Sequence, residues 1–372
     1  MAKELSRSSY LEKNVGNFEN EIEISGRRYV KVDDLRYGTN PHQSAAYYRP
    51  ADDAGVIGGM EIIKNGKSGL SQTNLEDISG ALNIVKFFDT PACAVMKHVN
   101  PSGAAVATPG ETLKDVYVKA RDADNRAAFG SVIAFNTEVD ADTAREIMST
   151  FCECVVAPAY APGVAEIFND AETYKLNRHI RILKCGDISR LPRFTGEADA
   201  SYNTFKVLAD GSVIAAAPLT TALRGLADLR PAEGENARCG KVVSTVAASE
   251  QRKLDLIFSW YVNLSVRSNG VVIVKDGQTL SVGTGEQDRV GAIEQAIAKF
   301  NQKYTGEATL EDAVMSSDGF FPFEDGVETA AAAGIKAIIA PAGSLRDADV
   351  IKRANELGVA LYHAPERIFS HH

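Results

Sequence analysis

The sequence predicts an α/β fold in which helices cover parallel or mixed sheets. Short apolar segments typical of buried strands recur at residues 92–96, 131–136, 154–159 and 180–185. Segments with helical periodicity, residues 113–124 and 140–151, separate some of them. Because short apolar strands that alternate with helices bury both faces of a sheet, this alternation indicates a largely parallel or mixed sheet. A length of 372 residues, 45% of them hydrophobic, suggests two domains or one large one.

A faint internal repeat favours two similar units. Residues 129–163 predict the order turn, strand, helix, strand and Ala-Pro turn, and residues 318–344 predict a similar order. Any two βαβ units look alike at this level, so duplication and chance similarity both remain open. The seam between the units is expected near residues 196–245, which are rich in Gly, Ala, Asp and Pro and lack clear periodicity.

Local signals predict two hairpins and a helix outside these segments. EIEISGRRYVKVDDL, residues 21–35, predicts a hairpin with Ser25-Gly26 as its turn. Ser249 predicts the start of a helix. That helix leads into a second hairpin, whose turn is expected at residues 275–278, Lys-Asp-Gly-Gln.

The charge balance and the polar N-terminus exclude several classes of partner. Forty Lys and Arg against 49 Asp and Glu give a formal charge of −9 and a pI near 5.3, which argues against a broad nucleic-acid or anionic-membrane surface. No apolar segment is long enough for a membrane span, and the first residues are too polar for a signal peptide. A cytoplasmic protein is therefore expected, and an anionic ligand must be bound by a local cationic pocket.

The cysteines predict buried free thiols. They are odd in number and most stand in strand-like apolar segments, which disfavours a disulfide framework. The C-x-C pair at residues 152–154 lacks the partner ligands of a zinc site, and both are expected on a strand. The five cysteines are Cys93, Cys152, Cys154, Cys185 and Cys239.

The segment LRYGTNPHQSAAYY, residues 35–48, carries the first candidate groups. Arg36 and His42 flank a Tyr-Gly-Thr-Asn-Pro turn, which places two basic groups and an aromatic ring on a structured loop. A ligand-binding loop at the end of an apolar element is one interpretation. A solvated hairpin tip is the other, and these residues alone leave both open.

A second candidate is the abrupt end of an apolar segment at Lys97 and His98. Neighbouring side chains of a strand point to opposite faces, so the pair can serve one site only where the strand ends and the backbone rotates. Residues 100–103, Asn-Pro-Ser-Gly, are expected to supply that break. A neutral imidazole there can act as a general base, and the ammonium can stabilise an oxyanion or bind a phosphate. A polar surface loop remains the alternative.

Two further segments give weaker signals. Phe129-Gly130 precedes a buried strand, where a glycine lets the backbone approach a ligand, although such pairs are also common packing devices. In GTGEQDR, residues 283–289, Arg289 opens a helical segment whose N-terminus can help to bind an anion. This segment matches neither a Walker loop nor a Rossmann fingerprint.

The last candidate is MSSDGFFPFEDG, residues 315–326, where three phenylalanines surround a proline. Asp318 and Asp325 bracket them, which predicts a flat apolar slot with carboxylates at its rim, suited to a bicyclic heteroaromatic ring with N–H donors. An ordinary core turn explains at least one phenylalanine. The motifs of zinc deaminases, serine esterases and H-E-x-x-H enzymes are absent, which disfavours those chemistries.

Taken in order, seven motifs closely resemble the formyltransferase part of the AICAR transformylase/IMP cyclohydrolase family of bifunctional purine enzymes. They are LRYGTNPHQ, MKHVNPSGAAVA, AAFGSVIAFN, VRSNG, GTGEQDRV, SSDGFFPFEDG and APAGS. The resemblance runs from about Leu35 to the C-terminal ERIFSHH. It implies an α/β fold of two cytidine-deaminase-like units in tandem without zinc. An N-terminal extension would span residues 1–34, the first unit 35–200 and the second 201–372.

The resemblance also implies the reaction. A formyl group would pass from 10-formyltetrahydrofolate to the 5-amino group of 5-aminoimidazole-4-carboxamide ribonucleotide (AICAR), giving FAICAR and tetrahydrofolate in de novo purine (IMP) biosynthesis. The folate is then a formyl-donating co-substrate, and no required metal is expected. The residues fit this reaction chemically. The lone pair of the 5-amino group is delocalised, which makes the amine a poor nucleophile, so a base that removes its proton during attack is important.

Position by position, the resemblance implies three groups of site residues. In the catalytic group, His98 is the general base or proton shuttle, Lys97 the transition-state stabiliser, and His42 lies near the reacting centre. The nucleotide-binding group is Arg36, Tyr37, Gly130, Glu153, Asn269, Arg289 and Arg367. The folate-binding group is Val290, Phe320, Asp325, Gly343 and Ser344.

The resemblance further implies partners. Family sites lie at a homodimer interface, so a homodimer with shared active sites is expected. Only 34 residues precede LRYG, where relatives carry a cyclohydrolase domain, so the chain is expected to lack ring closure and to depend on a separate IMP cyclohydrolase. Two alternatives remain open: a paralogue that formylates a related amino-imidazole ribonucleotide or uses another donor, and a non-catalytic AICAR sensor.

Overall fold

The structure is a computed structural model that describes residues 7–303 and 309–371. It divides into two compact units. The first unit contains the described residues up to Val99 together with Pro109–Leu191, and the second contains Asn100–Thr108 together with the described residues from Pro192 onward. The expected domain bounds, 1–34, 35–200 and 201–372, stay a prediction, and their residues 1–6, 304–308 and 372 lie outside the described part.

The strands and helices alternate along most of the chain. The strands are β1 Glu21–Ile24, β2 Arg27–Asp34, β3 Ala46–Pro50, β4 Glu61–Lys64, β5 Ala92–Lys97, β6 Asn100–Val106, β7 Ser131–Phe135, β8 Cys152–Ala157, β9 Arg181–Lys184, β10 Thr204–Val207, β11 Val213–Ala216, β12 Arg230–Pro231, β13 Glu233–Asn236, β14 Gly240–Val243, β15 Val271–Lys275, β16 Gln278–Gly283, β17 Val314–Ser317, β18 Ala337–Pro341 and β19 Ala360–Ala364. The α-helices are α1 Gln72–Val85, α2 Leu113–Asp122, α3 Asn125–Ala128, α4 Ala141–Met148, α5 Val164–Asn169, α6 Glu250–Asn263, α7 Arg289–Lys303, α8 Asp325–Ala332 and α9 Asp347–Leu357.

The first unit is built on a mixed sheet with the strand order β5-β7-β8-β9-β4. Strands β7, β8 and β9 are parallel, and β5 and β4 are antiparallel to their neighbours. Helix α1 packs on β5 and β7 and buries Ile78 and Leu82 completely. A separate antiparallel sheet, β1-β2-β3, contains the predicted hairpin, whose turn at Ser25 and Gly26 has positive φ at both residues.

Five of the seven strands in the sheet of the second unit repeat this topology. Its strand order is β6-β16-β15-β17-β18-β19-β12, in which β17, β18 and β19 are parallel. Both β15 and β12 are antiparallel to the strands beside them. Helix α6 packs on β15 and β17, as α1 packs on β5 and β7. The core includes Val271, Ile273, Ile293, Ile338 and Leu361.

The predicted repeat therefore has a structural counterpart. The second copy predicted from the sequence, however, starts after the strand that opens the structural repeat. Strand β17, the counterpart of β7, is Val314–Ser317, whereas the second copy of the sequence repeat starts at residue 318. The segment that follows β17 is a loop leading into α8. The sequence repeat missed the strand because two of its four residues are serines, which are fully buried.

Several element boundaries follow recognisable end signals. Ser249 caps α6, as predicted, and its hydroxyl accepts the backbone N–H of Arg252. Asp140 caps α4 in the same way through Thr143. The strand predicted at residues 154–159 instead spans Cys152–Ala157. It ends before Pro158, which has no N–H to donate to the sheet.

The segment at residues 196–245 lacks periodicity because it forms small, exposed ribbons. Strands β10 and β11 pair with each other, as do β13 and β14. Every residue of β10 and β11 is exposed, so neither face of that ribbon required an apolar pattern. Among the described residues, no helix has both the length and the apolar character needed to cross a membrane.

Candidate active site

Strand β5 ends at the predicted lysine–histidine pair. Lys97 is the last residue of the strand, and its Nζ donates a hydrogen bond of 2.5 Å to the carbonyl oxygen of Phe129. The next two residues, His98 and Val99, have φ values of 56° and 59°. The backbone therefore rotates directly after the lysine, and the exposed His98 no longer follows the alternation of the strand.

The predicted position of this break was wrong. The Asn-Pro-Ser-Gly segment does not interrupt the chain, because residues Asn100–Val106 form β6. The rotation occurs instead at His98 and Val99, neither of which is a glycine. A buried acceptor compensates for this costly backbone: the carboxylate of Asp77 accepts the N–H of Val99 at 2.6 Å and also that of His98.

Asp77 is held below this turn by helix α1. The helix begins with a capping box in which Ser71 and Asn74 exchange side-chain and backbone hydrogen bonds. Only 5% of Asp77 is exposed. Burial raises the pKa of Asp77 to about 6, although the hydrogen bonds from Val99 and His98 oppose this change.

Arg36 and Tyr37 form a second group in the first unit. The guanidinium of Arg36 lies 4.7 Å from the centre of the Tyr37 ring, and its backbone N–H donates to the carbonyl of Leu70 at 2.7 Å. Arg36 is buried, and its Nε has no hydrogen-bond partner among the described residues. Burial, reinforced by repulsion from Arg181, lowers the pKa of the Arg36 guanidinium. An arginine in this condition is suited to an anionic ligand.

Glu153 belongs to the same charged neighbourhood. It lies on β8 between two buried cysteines, so its side chain points to the opposite face of the sheet. Its Oε2 accepts a hydrogen bond of 2.9 Å from Nδ2 of Asn74 and lies 3.9 Å from Nη1 of Arg181. Arg181 is fixed in turn by the carbonyl of Gly69, at 2.7 Å. Three predicted nucleotide-binding residues, Arg36, Tyr37 and Glu153, thus lie in one group.

Gly130 lies next to the lysine in the first unit. Its φ is 78°, and an added Cβ would lie 4.0 Å from Nζ of Lys97 and 3.3 Å from the Phe151 ring. His42, by contrast, is exposed on a turn closed by the hydrogen bond from Gly38 to Gln43.

In the second unit, Arg289 is the centre of a buried cluster of hydrogen-bonded polar side chains. Arg289 opens α7, as predicted, and its guanidinium pairs with Asp318 and donates to Oδ1 of Asn269 at 2.6 Å. Asp318 also accepts the N–H of Gly270 at 2.8 Å. The expectation that Asp318 lies at the rim of an apolar slot is wrong. It is fully buried, because it balances the charge of Arg289.

The remaining predicted residues of the second unit are more exposed. The exposed Arg367 stacks on Phe369, with its guanidinium carbon 4.4 Å from the ring centre. The Phe320 ring lies 3.6 Å from the position that a Cβ of Gly343 would occupy, so two predicted folate-binding residues are neighbours. Of the three phenylalanines, only Phe321 is buried.

Three further predicted folate-binding residues lie at helix starts. Val290 is the second residue of α7. Asp325 is the first residue of α8 and lines an open cavity of about 420 Å³ together with Phe323. The backbone N–H of Ser344 donates to Oδ1 of Asp347 at 3.2 Å, just before α9.

The cysteines do not form a metal site. All five are free, and both cysteines of the C-x-C pair lie on β8, as predicted. Burial raises the pKa of Cys154 to about 12 and that of Cys152 well above its usual value. In the described part of the chain, no cluster of three or more His, Cys, Asp or Glu side chains is arranged to hold a metal ion.

A comparison with protein families shows to which family the chain belongs. A family model described as "AICARFT/IMPCHase bienzyme" matches residues 4–299. The chain belongs to this family. The match includes the lysine–histidine turn, the Arg36 group and Asn269 with Arg289, so the resemblance carried by the sequence motifs is confirmed at the level of the AICARFT/IMPCHase bienzyme family.

Curated relatives within this family are bifunctional purine biosynthesis proteins PurH. The protein of Nostoc punctiforme is 37% identical over 343 residues, which cover 92% of this chain and 59% of that protein. The protein of Magnetococcus marinus is 38% identical over 92% of this chain, and that of Acetivibrio thermocellus is 37% identical over 98% of it. The chain spans about three fifths of the length of these relatives.

A solved structure also has a limited similarity. The dCMP deaminase of cyanophage S-TIM5 is 17% identical, and the match covers 31% of this chain and 98% of that one at a TM-score of 0.22. A similarity of this size supports no conclusion about the fold or the activity. The cytidine-deaminase-like assignment of the two AICARFT/IMPCHase units therefore stays a prediction, while their mixed α/β architecture is observed.

Sequence reasoning missed three residues that organise the first unit. Asn74 bridges the cap of α1 to Glu153, Arg181 lies beside Glu153, and Asp77 supports the turn after β5. Asp77 did leave a signal in the sequence, since it interrupts the apolar face of α1 between Leu75 and Ile78. Nothing in the sequence around Asn74 or Arg181 indicated their partner, because that contact is set by the tertiary fold.

Proposed function

We propose that this chain transfers the formyl group of 10-formyltetrahydrofolate to the 5-amino group of AICAR, giving FAICAR and tetrahydrofolate in purine biosynthesis. The observation that carries the proposal is the end of β5 in a member of the AICARFT/IMPCHase family. Lys97 and His98 are neighbours there on a rotated backbone, with the Lys97 Nζ fixed on the carbonyl of Phe129.

Each member of the pair has a distinct task in this reaction. The amine nitrogen attacks the formyl carbon, and His98 takes the proton that the amine loses as the C–N bond forms. The carbonyl oxygen becomes an oxyanion, which the ammonium of Lys97 stabilises. When the tetrahedral intermediate collapses, the bond to N10 of the folate breaks, and N10 receives the proton that His98 took from the amine. No oxidant or metal enters this balance.

The nucleotide and folate roles are part of the same proposal. Arg36, Tyr37, Gly130 and Glu153 would bind AICAR from the first unit, and the buried Arg36 with its unpartnered Nε supports an anionic ligand there. For the second unit we assign nucleotide binding to Asn269, Arg289 and Arg367. Folate binding is assigned to Val290, Phe320, Asp325, Gly343 and Ser344. A role of His42 near the reacting centre and a homodimer with shared sites complete the proposal.

Purified protein mixed with AICAR and 10-formyltetrahydrofolate tests the activity. Release of tetrahydrofolate and formation of FAICAR are expected, with a loss of at least about 100-fold in His98→Ala. His179→Ala is a matched control, because His179 lies just before β9 and has no role in the proposal. Turnover no faster than that of His98→Ala would reject the proposal. Tight AICAR binding without turnover would then identify a sensor.

A further inference from the structure

The carboxylate of Asp77 holds the turn that carries His98. Asp77 lies on α1, six residues after the capping Ser71, and accepts the N–H groups of Val99 and His98. These donors belong to the two positive-φ residues that follow β5. Both hydrogen bonds thus fix the backbone at the point where the chain leaves the strand.

The second unit contains the same arrangement at the equivalent place. Asp255 lies on α6, six residues after the capping Ser249, and is 3% exposed. Its carboxylate oxygens each accept a hydrogen bond of 2.9 Å, one from the N–H of Asp276 and one from that of Gly277. These are again the two positive-φ residues that follow the first central strand, β15.

The two turns differ in how much they depend on the carboxylate. Asp276 and Gly277 are residue types that tolerate the left-handed region. His98 and Val99 are less suited to it, and a β-branched residue such as Val99 is a true outlier there. The turn of the first unit therefore needs an external acceptor more than its counterpart does.

We propose that Asp77 is a positioning residue for Lys97 and His98. Its carboxylate holds the two N–H groups of the left-handed turn, which fixes the direction in which the imidazole leaves the end of β5. Asp77 touches no reacting atom, because its side chain is almost completely buried. The consequence for catalysis rests on the proposed formyl transfer.

The matched pair Asp77→Asn and Asp255→Asn tests this role. Both variants keep one oxygen acceptor at the same helix position. We expect Asp77→Asn to lower kcat about tenfold and Asp77→Ala about 100-fold, with the KM for AICAR within about threefold of wild type, because a displaced base affects the reaction more than binding. Asp255→Asn should keep kcat within about twofold. Thermal unfolding of each variant shows which are folded.

A second measurement follows His98 directly. Protein labelled with ¹⁵N-histidine gives imidazole NMR signals, and the signal of His98 is the one missing in His98→Gln. Asp77→Asn should shift this signal, whereas Asp255→Asn should leave it in place. If Asp77 contributed only to stability, Asp77→Asn and Asp255→Asn would have the same effect on the His98 signal.

Two results would overturn the proposal. One is an equal loss of kcat in Asp77→Asn and Asp255→Asn, in proportion to their loss of thermal stability. The other is an unchanged His98 signal in Asp77→Asn. Absence of turnover in the wild-type protein is a separate failure, that of the proposed function, and in that case the His98 signal alone decides whether Asp77 positions the turn.

Discussion

Asp77 experiences opposing interactions within one unit. Desolvation favours the neutral carboxyl, and the neighbouring Glu76 acts in the same direction. The N–H groups of Val99 and His98 and the imidazole of His98 favour the carboxylate, and Cys154 lies close enough to interact with it. Desolvation dominates, so the pKa rises to about 6 from its ordinary 3.8.

This pKa predicts how the folding stability depends on pH. The folded state binds the proton more tightly than the unfolded state between about pH 4 and pH 6, so the contribution of Asp77 to stability is greatest at low pH and falls as the pH rises. The full decline is at most about 3 kcal/mol, from a shift of about two units. Urea unfolding at several pH values should show a shallower decline in Asp77→Asn.

Asp142→Asn is the control for this measurement. Its side chain is 81% exposed, so the variant should keep the wild-type pH dependence. A decline in Asp77→Asn that is as steep as that of the wild type would contradict the assignment of the titrating group.

At the residue scale, the sequence indicated candidate reactive side chains but missed the side chains that support them. Lys97 and His98 stand out because an apolar segment stops at two polar side chains. Asn74 and Arg181 do not stand out, since their partner Glu153 lies far away in the sequence. Asp318 was misplaced, because its burial depends on Arg289, which approaches it only in the folded chain.

At the scale of elements, the turn before β7 links backbone conformation to the candidate site. Gly130 has a φ of 78°, and its N–H donates to the carbonyl of Phe151 at 2.8 Å. The preceding carbonyl, that of Phe129, is the acceptor for Lys97. A change in the backbone at Gly130 therefore moves the group that holds the lysine.

Gly130→Ala and Gly163→Ala form a matched pair for this turn. Both glycines have a positive φ, 78° and 85°, so each substitution should lower the free energy of unfolding by about 1 kcal/mol. A Cβ on Gly163 has no atom within 4 Å, whereas one on Gly130 meets Phe151 and Lys97.

Only Gly130→Ala should lose the proposed formyl transfer by more than about tenfold, because only it displaces the acceptor of Lys97. Steady-state assays and chemical denaturation of both variants check this expectation. Equal activities in the two variants would show that the Phe129 carbonyl does not matter for the lysine.

Element boundaries were predictable where a local signal fixes them. Ser249 and Asp140 cap helices through their own side chains, and the Ser25-Gly26 turn was predicted from composition. The turn after β5 was misplaced because local rules favour Asn-Pro-Ser-Gly over His98 and Val99. The carboxylate of Asp77, from a different element, reverses that preference.

At the scale of the whole molecule, burial separates the cysteines into two classes. Cys93, Cys152, Cys154 and Cys185 are buried free thiols. Cys239 is partly exposed, and its hydrogen bond of 3.2 Å to Asp349 raises its pKa. One thiol of five is therefore accessible to reagents in the folded chain.

Titration with a thiol-specific disulfide reagent should detect this difference. The native protein is expected to react at one thiol, slowly because the pKa of Cys239 is raised, and the protein in urea at all five. Cys239→Ser should abolish the native reaction. A second native thiol reacting at a similar rate would contradict the burial of the other four cysteines.

The sequence by itself determined the α/β class, the family resemblance and the starts of the helices at Ser249 and Arg289, because these depend on periodicity, capping residues and motifs within short segments. Only the tertiary structure decided that residues 100–108 belong to the second unit, that five strands have the same order in both units, and that Asp77 and Asp255 support equivalent turns. These features depend on contacts between residues far apart in the chain, which no local pattern encodes.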